Sequence, residues 1–94
     1  MPTYLIERQF EVGQDGMPAV GKKSRRLIEE EFPRVTWQHS HVTLDDSGLV
    51  KTFCLYDAPN EDVVRDHAQA LGLHQIVAVY EIVGDVTPAD FPSD

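Results

Sequence analysis

The apolar block Tyr4-Leu5-Ile6, followed by Glu7-Arg8-Gln9 and Phe10, makes Thr3 to Phe10 read as a first strand, ended by the turn residues Gly13 to Gly16. The pattern then changes. Pro18 suits the first turn of a helix, where its missing N–H would be unpaired anyway, and Val20, Leu27, Ile28 and Phe32 fall on one helical stripe before Pro33 ends it. Val35 to Leu44 and Leu49 to Tyr56 read as a second and third strand around Asp45-Asp46-Ser47-Gly48, a composition suited to a hairpin turn. Asn60 can cap a second helix, with Glu61 and Asp62 at its positive end. Val63, Val64, His67, Ala68 and Leu71 make its buried stripe, and Gly72 its stop. Ile76 to Val83 is rich in β-branched residues and supplies the last strand.

The order β-α-β-β-α-β predicts an α+β, ferredoxin-like fold: a four-stranded antiparallel sheet with two helices on one face. Residues 1–83 form the domain, and 84–94, with Pro88 and Pro92, an extended tail. The other sheet face is left open. A two- or four-residue hairpin loop places Leu44 opposite Leu49, so His41 faces Thr52, His39 faces Cys54 and Trp37 faces Tyr56. With Phe53, Leu55 and Val42 as helix-packing residues, these six gather on the open side. Ile6 and Tyr4 point to the core, Leu5 and Glu7 away from it; Tyr80 and Ile82 point to the core, Val77, Val79 and Glu81 away from it.

Composition narrows the function classes. The chain has 94 residues, 41% hydrophobic and 26% charged, enough for one small folded domain. No apolar run approaches the roughly 20 residues of a membrane span, and no secretory signal opens the chain, so a cytoplasmic protein is expected. One cysteine, Cys54, permits no internal disulfide. A net charge of -8 argues against nucleic acid as a partner. The basic residues Lys22, Lys23, Arg25 and Arg26 read as a solvated helix face beside Glu29, Glu30 and Glu31.

The candidate chemistry lies in Trp37-Gln38-His39-Ser40-His41-Val42-Thr43. Residues two apart on a strand share a face, so His39 and His41 stand side by side. Imidazole suits nickel or zinc, Glu7 adds a carboxylate and Cys54 a soft fourth donor. The bland alternative makes the two histidines hydrogen-bonding residues of a dimer interface and Cys54 a small buried hydrophobe. Glu7 and Glu81 read either as general bases or as ion-pair partners of Arg8 and Arg65. His67 reads as a core histidine and His74 as an exposed loop residue. Trp37 and Tyr56 can stack on a flat organic ligand, or join two subunits.

Three segments carry a resemblance: Tyr4-Leu5-Ile6-Glu7-Arg8, Trp37 to Thr43, and Cys54-Leu55-Tyr56-Asp57-Ala58-Pro59-Asn60-Glu61 running into Val64-Arg65-Asp66-His67-Ala68. Together they resemble a family of small bacterial proteins catalogued as a domain of unknown function, one of which is described as nickel-binding and nickel-responsive. The resemblance implies a ferredoxin-like fold, assembly through sheet faces and nickel binding. The tryptophan-x-histidine-serine pattern matches at Trp37, His39 and Ser40, whereas tyrosine is common in the family where this chain has His41. The loop Asp45 to Leu49 is longer than the family's usual hairpin.

The reading is therefore a divalent-metal protein, nickel first and zinc second, serving storage or response. Its ligands are His39, His41, Glu7 and Cys54, and it is a homodimer or larger assembly through the open face. The rival is a dimeric α/β-barrel enzyme, a cofactor-independent oxygenase or isomerase, with His39 or His41 as acid–base and Trp37 and Tyr56 as cavity walls. No complete catalytic constellation is present, which favours the first reading.

Overall fold

In the computed structural model, which describes residues 1–93, the predicted order of elements is present. β1 (Thr3–Phe10), β2 (Thr36–Leu44), β3 (Val50–Asp57) and β4 (His74–Ile82) alternate with α1 (Met17–Glu30) and α2 (Glu61–Leu71) as β1-α1-β2-β3-α2-β4. The sheet runs β2-β3-β1-β4 and every pairing is antiparallel, so the protein is α+β and ferredoxin-like. The tail holds a short 3₁₀ turn at Pro88–Asp90, capped reciprocally by Thr87 and Asp90, and Asp94 lies outside the described residues.

The helix ends follow local chemistry. Pro18 sits in the first turn of α1. The Asn60 side chain accepts a hydrogen bond from the Val63 N–H at 3.0 Å, satisfying a donor the helix cannot. Gly72 ends α2 at φ 68°, a conformation that costs a β-carbon-bearing residue strain. The buried stripes are Val20, Ser24 and Leu27 on α1, and Val64, His67, Ala68 and Leu71 on α2.

Three corrections concern which face a strand presents. The hairpin pairs Leu44 with Val50, leaving the five residues Asp45 to Leu49 in the loop. Asp45 organises that loop by accepting from the Ser47 N–H and hydroxyl and from the Leu49 N–H. An odd loop inverts the parity of β3. Val50, Thr52, Cys54 and Tyr56 therefore face the helices and are buried, while Lys51, Phe53, Leu55 and Asp57 face the open side. Charge explains the choice, because the inverse arrangement would bury both Lys51 and Asp57.

The second correction is a bulge in β2. Trp37 pairs with Tyr56 but His39 already pairs with Leu55, so Gln38 is supernumerary and Trp37 is turned to the helix side. The third is a bulge in β4, where Glu7 faces Ala78 but Arg8 faces Ile76, leaving Val77 extra. Beyond it Val79 packs on the core, Glu81 lies beside Tyr4, and Tyr80 and Ile82 turn to the open face. β1 follows its alternation: Tyr4, Ile6, Arg8 and Phe10 are buried.

The core under the helices has two apolar halves. One gathers Tyr4, Ile6, Val35, Cys54, Tyr56, Ala58, Val64 and Ala68; the other gathers Phe10, Val20, Leu27, Val50 and Leu71. Polar residues divide them. Arg8 lies between Ile6 and Phe10 on β1, Thr52 between Cys54 and Val50 on β3, Ser24 on α1 and His67 on α2.

Candidate functional site

The open face carries the histidine pair. His39 pairs with Leu55 and His41 with Phe53, so both imidazoles stand on the side away from the helices. Both are exposed, and their rings lie 5.1 Å apart between centroids at a steep angle of 85°. Leu55 and Phe53 on β3 stand beside them, and Leu5 on β1 and Tyr80 on β4 continue the apolar surface across this face.

Glu7 shares the face but not the immediate neighbourhood. It stands two strands from His41, with Phe53 between them, and its carboxylate is held by Lys51 Nζ at 2.7 Å. Cys54 is on the other side of the sheet. It is 3% exposed, and its thiol donates to the Thr52 hydroxyl at 3.3 Å. The sheet thus separates Cys54 from the imidazoles. Among the described residues no group of three or more histidines, cysteines or carboxylates lies close enough to hold one ion. One chain brings together two of the four sequence-predicted ligands. The donor set fits a borderline metal in type, since imidazole binds nickel and zinc well, but falls short in number.

The other predicted pair is also brought together, on the covered face. Trp37 and Tyr56 stack with centroids 6.4 Å apart, and the indole N–H donates to the Ser40 hydroxyl at 2.9 Å. They line a cavity of about 430 Å³ between α1 and the sheet, along with Gly21, Thr52, Cys54 and Arg8. A barrel enzyme of the kind weighed above would put its cavity against the open face, whereas this one is under α1.

Arg8 is the residue that sequence reasoning missed. It is 2% exposed, its guanidinium carbon sits 5.2 Å from the centre of the Tyr56 ring, and its Nε and Nη2 have no hydrogen-bond partner among the described residues. The signal was available: the parity that buries Tyr4 and Ile6 also buries Arg8. Of the ion pairs considered from sequence, Arg65 joins Glu61 at 2.8 Å rather than Glu7.

The surroundings of Arg8 are basic. His67 is wholly buried, with the Ser24 hydroxyl 3.2 Å from Nε2 and the edges of Phe32 and Tyr56 within 5.6 Å between ring centroids. Burial, seconded by the Arg8 charge, pushes its pKa down to about 4. His74 is not the exposed loop residue its position after Gly72 implies. It opens β4, its Nδ1 lies 2.6 Å from the Gly72 carbonyl, and its ring packs on Phe10 at 4.9 Å. Its pKa is lowered by burial first, with Arg8 adding to that and the carbonyl opposing it. Burial pushes the Tyr56 phenol up to about 12, against the opposite pull of Arg8.

No helix among the described residues is long and apolar enough to cross a membrane. No curated protein sequence matches the chain. Among solved structures, the chain is similar to one described as the crystal structure analysis of SCO4226 from Streptomyces coelicolor A3(2). The TM-score is 0.65 at 15% identity, covering 89% of this chain and 99% of that one. At that identity the likeness speaks for the fold. A family model described as nickel responsive protein SCO4226-like matches residues 4–82, which runs from the start of β1 to the end of β4. The chain therefore belongs to the nickel-responsive SCO4226-like family.

Proposed function

We propose that this protein binds a divalent metal ion, nickel in preference to zinc, through His39 and His41 on the open sheet face, and that it serves metal response or storage. The observation that carries this reading is the imidazole pair itself: two exposed rings 5.1 Å apart on one face of one strand. Membership of a family named for nickel response supports the choice of metal.

Two imidazoles are half of a coordination set. The remaining positions fall to water or to a second copy applied through the same face, where the apolar side chains Leu5, Phe53, Leu55 and Tyr80 favour contact. A symmetric pair of such faces brings two histidine pairs towards a common axis, because a two-fold contact applies the same patch to itself. Glu7 joins the set only by leaving Lys51, so it ranks after the histidines.

Calorimetric titration of nickel into tag-free protein and into a His39→Ala/His41→Ala variant tests the ligands. Saturable binding by the wild type that is lost in the variant is expected. Equal affinity in both removes these residues from the site. Light scattering with and without nickel reads the assembly: a mass that doubles with metal assigns the missing ligands to a second copy, and a mass that stays that of the monomer assigns them to water.

A further inference from the structure

The covered side of the sheet holds a second site, built around the buried cation. We infer that the cavity between α1 and the sheet binds a small organic monocarboxylate, its charge on Arg8 and its apolar body against Trp37 and Tyr56.

Arg8 begins the argument. A guanidinium stays protonated at any ordinary pH, and an unpaired charge out of water is among the costliest things a fold can contain. Arg8 is 2% exposed, and the two nitrogens without partners, Nε and Nη2, form one edge of the guanidinium plane. That edge is enclosed by the protein, so a carboxylate entering the cavity reaches it only by displacing a wall side chain, and its two parallel N–H groups then form the fork that matches the two carboxylate oxygens. The cavity wall, of which Arg8 is part, contains no Asp or Glu. Arg8 also makes no ion pair with any carboxylate among the described residues. The anion has to come from outside.

The neighbours sharpen this. Besides Arg8, the buried side-chain nitrogens without partners are His67 Nδ1 and His74 Nε2, so every such atom among the described residues belongs to a basic side chain. Burial holds both histidines towards neutrality, so the fixed positive charge of this interior is Arg8.

Size and walls select the body of the ligand. A volume of about 430 Å³ lies within the range of small-molecule sites. The indole of Trp37 and the ring of Tyr56 offer flat apolar surface, and Val20, Met17 and Leu71 add aliphatic wall. Gly21 is the second, independent sign. It occupies the interior of α1, where alanine would be the better helix former, yet a β-carbon there would meet no atom within 4 Å. Its absence leaves the cavity open beside the helix.

The test uses the full chain and the fluorescence of Trp37, its sole tryptophan. Benzoate, octanoate, benzamide and inorganic phosphate are titrated separately, with calorimetry for stoichiometry. Benzoate or octanoate is expected to saturate at one per chain and to bind at least ~10-fold tighter than benzamide, the scale of a charge-assisted pair over a neutral one. Phosphate, which lacks an apolar body, is expected to bind more weakly than either. Gly21→Leu fills the cavity without touching Arg8 and is expected to lose carboxylate binding while keeping its far-ultraviolet circular dichroism. Arg8→Met is expected to bind benzoate no better than benzamide.

No saturable binding of either carboxylate overturns the proposal. So does benzamide matching benzoate in the wild type, phosphate binding as tightly as the carboxylates, or undiminished binding by folded Gly21→Leu. Should Arg8→Met fail to fold, the benzamide comparison and Gly21→Leu decide between these outcomes.

Discussion

Acidification should unfold this protein through His67 before the helices themselves are at fault. The folded pKa of about 4 lies below the ordinary value of 6.5, because the ring is buried and Arg8 repels its charged form. A histidine lowered in this way favours the fold fully above pH 6.5, where both states are neutral at this group. Its contribution is lost as pH falls from 6.5 towards 4, where the unfolded chain takes up a proton that the folded one refuses. The difference of pKa corresponds to about 3 kcal/mol in all, and to about 2.5 kcal/mol between pH 7.5 and 4.5. With a urea dependence of roughly 1 kcal/mol per molar, suited to a small domain, the midpoint moves down by about 2.5 M from this group alone.

Acidification acts on other groups as well, so the measurement is a comparison. Urea unfolding followed by circular dichroism at both pH values is made for wild type and for His67→Gln, which keeps a hydrogen-bonding partner for Ser24 but has no proton to gain. The wild type should lose about 2.5 kcal/mol more than the variant over this interval. Equal losses would mean that His67 is solvated or paired when protonated, and would refute the picture of a neutral ring held beside a fixed cation.

Two further outcomes follow from backbone chemistry. Gly21→Ala should stabilise the protein by about 0.5–1 kcal/mol, because the added methyl meets nothing within 4 Å and removes chain freedom from the unfolded state; calorimetric melting reads the shift. Asn60→Ala should cost about 1 kcal/mol by removing the acceptor of the Val63 N–H, and should show first as faster hydrogen exchange in the opening turn of α2.

The elements were legible because their signals are local. The apolar block of β1, the stripe and proline of α1, and the Asn60 cap and Gly72 stop of α2 act within a few residues and survive in the fold. Faces were less legible because they depend on parity, and parity changes with a single residue. Counting the loop as four residues rather than five exchanged Thr52, Cys54 and Tyr56 for Phe53 and Leu55. His39 and His41 kept their side because the error fell on the partner strand, whereas Trp37 lost it at the bulge beside Gln38. Val77 did the same to Tyr80 and Ile82. The charges Lys51 and Asp57 flanking Phe53 and Leu55 were the signal against burying that face, and they outweigh two apolar side chains.

Parity also explains how one sheet can carry two unlike sites. Alternate residues of β1 send Glu7 to the open face, where Lys51 neutralises it, and Arg8 to the covered face, where no carboxylate among the described residues does. The two cations of the middle strands thus part company: one is consumed in an ion pair on the histidine side, and the other remains inside with two histidines that burial holds towards neutrality. The interior therefore carries positive charge in a chain whose net charge is -8. That outer field draws divalent cations and repels organic anions at distances up to a Debye length, about 10 Å at ~0.1 M salt. Metal affinity measured in low salt will then contain a diffuse contribution that owes nothing to His39 and His41, and carboxylate affinity will be understated. Magnesium, a hard cation with little taste for imidazole, separates the two: it screens the acidic surface while leaving a histidine-bound nickel in place. A nickel signal abolished by magnesium belongs to the surface, and only one that persists belongs to the paired rings.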